Sequence, residues 1–148
     1  MSKLDFRQKG KKRRTETRKA CVVMTYGDRH EAEQMGRQME DLDAAGRLIM
    51  YEDTESLLHN SPASRVSMVI LAAGERPPLL RKTLGHVRRR WPRCHIAVVG
   101  DEGCGEQEKA AREGGANYVL RSAARHHLPE LLRHALGTHR RAQDRASG

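Results

Sequence analysis

The sequence lacks any apolar run that approaches the ~20 residues a membrane-spanning helix needs. Its basic N-terminus has no apolar stretch behind it, so the pattern of a secretory signal is missing as well. The 3 cysteines show no Cys-x-x-Cys spacing and form an odd set, which is typical of thiols in a reducing compartment. We therefore expect a cytoplasmic protein without a membrane span, and we expect no metal or other cofactor.

Positive charge is concentrated at the two ends of the chain. Residues 1–19 carry 9 Lys or Arg against 2 acidic residues, and residues 138–148 carry 3 against 1. Residues 20–137 hold equal numbers of acids and bases. The N-terminal segment has too few apolar side chains to offset the entropy lost on ordering. The sequence predicts a disordered basic tail over residues 1–19, a domain over residues 20–137 and a basic tail over residues 138–148.

A compact basic cluster lies inside the N-terminal segment, at Lys11, Lys12, Arg13 and Arg14. Such a cluster attracts nucleic-acid phosphate, an acidic protein or an anionic membrane surface, or it serves only to keep the chain in solution. No aromatic residues are interleaved with it, so base stacking is not expected. Nucleic-acid binding through this cluster would be independent of base sequence and weakened by salt.

Apolar runs and amphipathic stretches alternate between the two ends. Strands are predicted at residues 21–26, 47–52, 67–73, 95–100 and 117–120. A helix follows each strand, with Gly46 expected to end the first helix and Gly137 the last. The third strand is wholly apolar, which indicates a central strand covered on both faces. The pattern predicts an α/β fold with a doubly wound, five-stranded parallel sheet in the flavodoxin-like order 2-1-3-4-5.

Three segments carry a resemblance to a known family. Residues 106–121 read EQEKAAREGGANYVLR, a helix, a Gly-Gly break and a strand that ends in a lone cation. RRRWPRCHIAVVG precedes this segment and LPELLRHAL closes the domain. In the order of these elements, residues 20–137 resemble the CheY-like receiver domain of bacterial two-component response regulators. The resemblance implies a signalling module that works through protein partners.

The same resemblance implies a site for phosphoryl transfer, and this chain departs from it at nearly every position. The family's acidic pair after the first strand is replaced by Thr25 and Tyr26. The phosphoacceptor Asp is replaced by Ala72, the hydroxyl residue after the fourth strand by Gly100, and the Lys after the fifth by Arg121. A methyl group cannot form an acyl phosphate. No residue is therefore predicted to be catalytic, and the chain is not expected to be an enzyme.

Other acids follow the predicted strands and could rebuild a weak Mg²⁺ site, or could serve as helix caps and solvated loop residues: Asp28, Asp53, Glu75, Asp101 and Glu102. The third predicted helix carries a run of cations that forms either a solvated face or a docking face: Arg81, Lys82, Arg88, Arg89, Arg90 and Arg93. Arg121 could bind a small anion or pair with Asp28 or Asp101.

The resemblance implies a pseudo-receiver that is not phosphorylated and that regulates a signalling or transcription protein. Its partner or homodimer face would comprise the fourth helix, fifth strand and fifth helix, with Tyr118, Leu120 and Arg133. Tyr118 matches the aromatic switch position of many receivers, but Gly100 lacks the hydroxyl that couples to it. The alternative function is a small nucleic-acid-associated protein tethered by its basic N-terminal segment.

Overall fold

The computed structural model of the protein describes residues 3–5, 20–26, 29–41, 46–63, 65–72 and 76–147. The strands are β1 Lys3–Asp5, β2 Ala20–Thr25, β3 Gly46–Tyr51, β4 Val66–Ala72, β5 His95–Gly100 and β6 Asn117–Leu120. The helices are α1 Arg29–Asp41, α2 Thr54–His59, α3 Pro77–Arg90, α4 Gly105–Glu113 and α5 Ala124–Ser147, with a 3₁₀ turn at Arg121–Ala123.

The strands form one sheet in the order β1-β3-β2-β4-β5-β6. The five strands from β2 to β6 are parallel, and they confirm the predicted flavodoxin-like order 2-1-3-4-5. The prediction of a disordered tail over residues 1–19 is wrong at Lys3–Asp5, and the rest of that segment lies outside the described residues. Lys3–Asp5 forms β1, which pairs antiparallel with β3, because the backbone groups on the outer side of β3 give a short extended segment hydrogen-bonding partners.

The sheet is covered by helices on both faces, and strand alternation divides the core into two layers. Val69 and Leu71 of β4 pack in the layer that contains the buried side chains of α2, α3 and α4. Met68 and Ile70 point to the opposite layer, which contains those of α1 and α5. Residues 66–71 of β4 are all buried, as expected for a central strand that both layers cover.

Two helix ends differ from the prediction, and both involve glycine. Gly46 is the first residue of β3, after a break in the described chain. Gly137 lies inside α5, which continues to Ser147 instead of ending at the predicted tail boundary. A glycine in a helix costs only about 1 kcal/mol relative to alanine, and the following residues include no proline. Residues 138–147 are therefore part of a helix.

A proline lies inside the last helix. α5 begins at Ala124, so Pro129 lies in its interior. In the described parts of the chain, no helix has the length and apolar character required to cross a membrane.

Candidate functional site at the carboxyl edge of the sheet

The residue at the predicted phosphoacceptor position is a half-buried alanine at the carboxyl end of the middle strand. Ala72 is the last residue of β4 and pairs in register with Val99 of β5. Its backbone N–H donates a hydrogen bond to Oγ1 of Thr25 at 3.0 Å. The side chain at this position is a methyl group, which offers neither a nucleophile nor a metal ligand.

The two residues that replace the acidic pair are buried. Thr25 ends β2 and is 2% exposed, and its hydroxyl oxygen already accepts the hydrogen bond from Ala72. Tyr26 is 7% exposed, packs in the core layer beneath α1 and α5, and donates its backbone N–H to the Tyr51 carbonyl at 3.1 Å. Both side chains serve packing and sheet geometry, and neither presents a carboxylate to a cation.

Tyr118 fills the space beside Gly100, where the resemblance to receivers implies a hydroxyl residue. A Cβ built on Gly100 would overlap the Tyr118 hydroxyl and would lie 2.6 Å from Cζ of the ring. The hydroxyl donates to the main-chain carbonyl of Asp101 at 3.0 Å. Burial is the main cause of a raised pKa for Tyr118, so the phenol remains protonated at neutral pH. The absence of a side chain at position 100 is what allows this inward placement of the ring.

Arg121 follows β6 and reaches across to the loop after β5. Its Nε lies 3.1 Å from Oδ1 of Asp101. Of the two acids that the sequence offered as partners of Arg121, Asp101 therefore forms an ion pair with it. Asp28 lies outside the described residues. The Asp101 side chain is 63% exposed and that of Arg121 is 35% exposed, so the pair is partly solvated. Asp101 thus contacts Arg121 through its carboxylate and Tyr118 through its backbone.

The displaced acids do not converge in the described part of the chain. Asp53 caps α2, with Oδ1 accepting from the backbone N–H of Ser56 at 2.7 Å, and this hydrogen bond lowers the pKa of Asp53. Glu102 is exposed, and Glu75, like Asp28, lies outside the described residues. Among the residues described, no three His, Cys, Asp or Glu side chains are grouped to hold a metal ion.

A cleft of about 540 Å³ opens at this edge of the sheet, between the start of α5 and the ends of β2, β4 and β5. We call it the carboxyl-edge cleft. Its lining combines apolar core residues with a polar and cationic rim: Met24, Thr25, Tyr26, Gln34, Ile70, Ala72, Val99, Arg121, Ser122, Ala124, Arg125, His126 and Leu128.

The cleft brings together four of the predicted positions, Thr25, Tyr26, Ala72 and Arg121, with side chains that the sequence did not single out. Arg125 and His126 come from the first turn of α5, and Gln34 comes from α1. The helix start could not be placed from the sequence, because the apolar stripe of α5 begins only at Leu128. The available signal was the two arginines before this stripe, Arg121 and Arg125.

The cations of α3 do not form one uniform solvated face. Arg88 is half-buried, and its guanidinium donates to the carbonyls of Cys94 at 2.7 Å and Gly115 at 2.8 Å. Arg81 pairs with Glu113 of α4 at 3.2 Å. Arg88 therefore connects the loops that follow α3 and α4, which is a structural role. Arg81 is exposed despite this pairing, and the other exposed members of the run are Lys82, Arg89, Arg90 and Arg93.

The predicted partner face lies within the described residues, whereas the basic cluster does not. Tyr118 and Leu120 are half-buried on β6, the edge strand, and Arg133 is exposed on α5. These three residues lie on the elements expected to form the face. Lys11, Lys12, Arg13 and Arg14 fall outside the described residues.

Comparison with solved structures gives matches to receiver domains. The structure is similar to the signal receiver domain of an HD domain-containing protein from Pseudomonas fluorescens, with 19% identity, a TM-score of 0.67, and coverage of 86% of this chain and 94% of that chain. A response regulator from Thermotoga maritima gives 15% identity and a TM-score of 0.67, over 80% of this chain and 98% of that chain.

A CheY-like protein from Pseudomonas aeruginosa gives 16% identity and a TM-score of 0.63, over 78% of this chain and 98% of that chain. At these identities the likeness establishes the receiver-like fold. No family model matches the sequence, and no curated protein matches it.

Proposed function

We propose that the chain is a receiver-like interaction module that is not phosphorylated, and that it regulates a cytoplasmic partner in two-component-type signalling or transcriptional control. One observation carries the proposal. Ala72 ends the middle strand of a receiver-like sheet, at the position where phosphoryl transfer requires a carboxylate. A module of this fold without that group acts through binding and not through chemistry.

The neighbours of Ala72 support the same conclusion. Thr25 and Tyr26 are buried where an acidic pair would hold Mg²⁺, and the Thr25 hydroxyl is engaged by the Ala72 amide. Arg121, at the position of the conserved lysine of the family, is paired with Asp101. The cation is thus held by a group of the protein itself, an arrangement that favours a single state of this edge.

The chemical half of the proposal is tested with acetyl phosphate and Mg²⁺, followed by intact-mass analysis of the native chain. We expect no phosphoryl adduct. The variant Ala72→Asp supplies a carboxylate, and we expect no adduct there either, because Thr25 and Tyr26 provide no metal ligand. A hydroxylamine-labile adduct on the native chain would contradict the proposal. An adduct confined to Ala72→Asp would show that other acids hold the metal.

The binding half of the proposal concerns the face formed by α4, β6 and α5. This face would contact a signalling or transcription protein, or a second copy of the chain. Arg133→Glu reverses one exposed charge on it, and Arg89→Glu makes the matched change on α3, which covers the other side of the sheet. We expect Arg133→Glu to weaken partner capture or dimer sedimentation, with Arg89→Glu unchanged. Equal behaviour of the two variants would exclude this face.

A second candidate function is tethering to nucleic acid, and the charge of the N-terminal segment favours it. Residues 1–19 carry 9 basic and 2 acidic residues beside a domain with balanced charge. The tethering function is tested by changing Lys11, Lys12, Arg13 and Arg14 to Gln. This variant keeps β1, whereas deletion of the whole segment would remove it. In a gel shift, this variant should not bind duplex DNA or RNA. The native chain should bind at roughly 50 mM salt and lose that binding at roughly 200 mM. Unchanged binding would exclude the cluster.

A further inference from the structure

The carboxyl-edge cleft has the size of a small-molecule site. Its volume is about 540 Å³, and sites for small ligands and cofactors span roughly 300–1,000 Å³. It opens where ligands bind in open α/β sheets, outside the carboxyl ends of the parallel strands. Position and size alone do not identify the ligand, so the class of ligand is inferred from the residues that line the cleft.

One wall of the cleft is cationic. Arg121 and Arg125 supply its charge, from the 3₁₀ turn and the first turn of α5, and Ser122 and His126 also line it. No carboxylate is present among the described residues that line the cleft. The positive end of the α5 dipole adds to the field of these side chains. A group of negative charge is therefore favoured at this wall.

The floor of the cleft is apolar. It consists of Met24, Ile70, Val99 and Leu128, whose side chains belong to the core layer beneath α1 and α5. Each of these four side chains is at most 6% exposed, so the floor presents only a small apolar surface to the cleft. An apolar body that covers this surface has a modest advantage over an inorganic anion, because each Å² of apolar area removed from water contributes about 25 cal/mol.

We infer that the carboxyl-edge cleft binds a small organic anion. Its phosphate or carboxylate group lies against the guanidinium groups of Arg125 and Arg121, which match the geometry of both headgroups. Its apolar body lies on the floor formed by Met24, Ile70, Val99 and Leu128. Binding is non-covalent and needs neither a phosphoacceptor nor a metal ion. The inference goes beyond the proposed function, because it holds or fails without any protein partner.

Binding would also change the contacts of Asp101. Nε of Arg121 is 3.1 Å from the Asp101 carboxylate, so a ligand anion competes with Asp101 for the same guanidinium. The Asp101 carbonyl accepts the hydrogen bond from Tyr118, which lies on the partner face. The cleft and that face are thus joined through Arg121, Asp101 and Tyr118.

The test uses the full chain and titration calorimetry with four probes. Adenosine monophosphate and an aromatic carboxylate such as indole-3-acetate present the two headgroups on an apolar body. Inorganic phosphate presents the charge alone, and adenosine presents the body alone. We expect at least one of the two organic anions to bind saturably, and inorganic phosphate and adenosine to bind at least about tenfold more weakly.

Two matched variants locate the binding. Arg125→Gln removes a cation of the cleft, and we expect it to lower the affinity for the organic anion by at least about tenfold. Arg89→Gln removes an exposed cation of α3 on the other side of the sheet and should leave binding unchanged. The inference would be overturned if neither organic anion bound saturably. Equal losses in the two variants, or phosphate binding as tightly as the organic anions, would overturn it as well.

The inference and the proposed function fail on different observations. If the chain binds the anion but also takes a phosphoryl group from acetyl phosphate, the inference holds and the proposed function is wrong. A chain that does neither would retain the proposed function alone.

Discussion

The ring of Tyr118 occupies the volume that a side chain on Gly100 would need. A Cβ at position 100 would lie 2.6 Å from Cζ and 2.8 Å from Cε1 of the ring, well inside van der Waals contact. The two residues sit on neighbouring strands, β5 and β6, two positions out of register, since Gly100 pairs with Leu120. The glycine therefore fixes the inward placement of the tyrosine, and the tyrosine excludes any larger residue at position 100.

This relationship predicts that Gly100→Ala destabilises the protein by about 1–3 kcal/mol, the usual cost of overpacking. In the double variant Gly100→Ala/Tyr118→Leu the ring is gone, so the alanine should cost less than it does in the native background. Urea denaturation of the native chain, Gly100→Ala, Tyr118→Leu and the double variant gives the coupling energy between the two positions. Additive effects of the two changes would mean that the ring does not occupy this space.

Gly114 and Leu84 give a second packing prediction. A Cβ on Gly114 would lie 2.6 Å from Cδ1 and 3.0 Å from Cβ of Leu84, which is 1% exposed and has no room to move. We expect Gly114→Ala to lower the free energy of unfolding by about 1–3 kcal/mol. Gly105→Ala is the control, because nothing lies within 4 Å of its added Cβ. This change at the start of α4 should be neutral or stabilising by up to about 1 kcal/mol. A loss of the same size in both variants would contradict the packing argument.

The third prediction concerns pH. His95 packs edge to face against His134, with ring centroids 5.2 Å apart. Burial, followed by the charges of His134 and Arg88, holds the pKa of His95 below its ordinary value of 6.5. The unfolded chain then binds the proton more tightly, so this histidine lowers stability as the pH falls below about 6.5 and has no effect well above it.

Unfolding midpoints at about pH 8 and about pH 5 should therefore differ less for His95→Gln than for the native chain. His127→Gln, a change at an exposed histidine of α5, is the control. If His95→Gln keeps the full pH dependence of the native chain, the lowered pKa is not a property of the folded state.

The fourth prediction concerns thiol reactivity. Burial raises the pKa of Cys94 to about 11, and its side chain is 4% exposed. At about pH 8 only about one thiol in a thousand is then the reactive thiolate. Cys21 is 1% exposed, whereas Cys104 is half-buried in the loop before α4. Iodoacetamide at about pH 8 should modify Cys104 first and reach the other two only after denaturation. Peptide mass analysis checks the order, and early labelling of Cys94 would contradict it.

The parallel sheet was predictable because its strands are short apolar runs separated by helical patterns. The bounds of β5 and β6 agree residue for residue with the sequence prediction, since Pro92 and the Gly-Gly break delimit them. β1 was missed because three residues with one large aliphatic side chain carry no periodicity. The extent of α5 was also missed, because glycine ends a helix only where the chain turns into a left-handed conformation, and at Gly137 it does not.

The places of the candidate residues on the sheet were predictable, and the shape of the surface around them was not. Ala72, Gly100 and Arg121 lie at strand ends, where alignment of the strands puts them. That Tyr118 would fill the space at Gly100 follows from side-chain packing, which the sequence alone does not determine. The carboxyl-edge cleft depends on where α5 begins relative to the sheet, and no residue pattern before Leu128 marks that start.

The antiparallel pairing of β1 changes the meaning of the basic segment. Lys3 lies opposite Tyr51 and Asp5 opposite Ile49, so β1 runs toward the amino end of β3, where Ala20 begins β2 beside Gly46. β1 therefore covers the outer edge of β3 at these positions, and a truncation of residues 1–19 would uncover that edge as well as remove the basic cluster. A truncated chain that aggregates or dimerises would report the uncovered strand and not the lost charge.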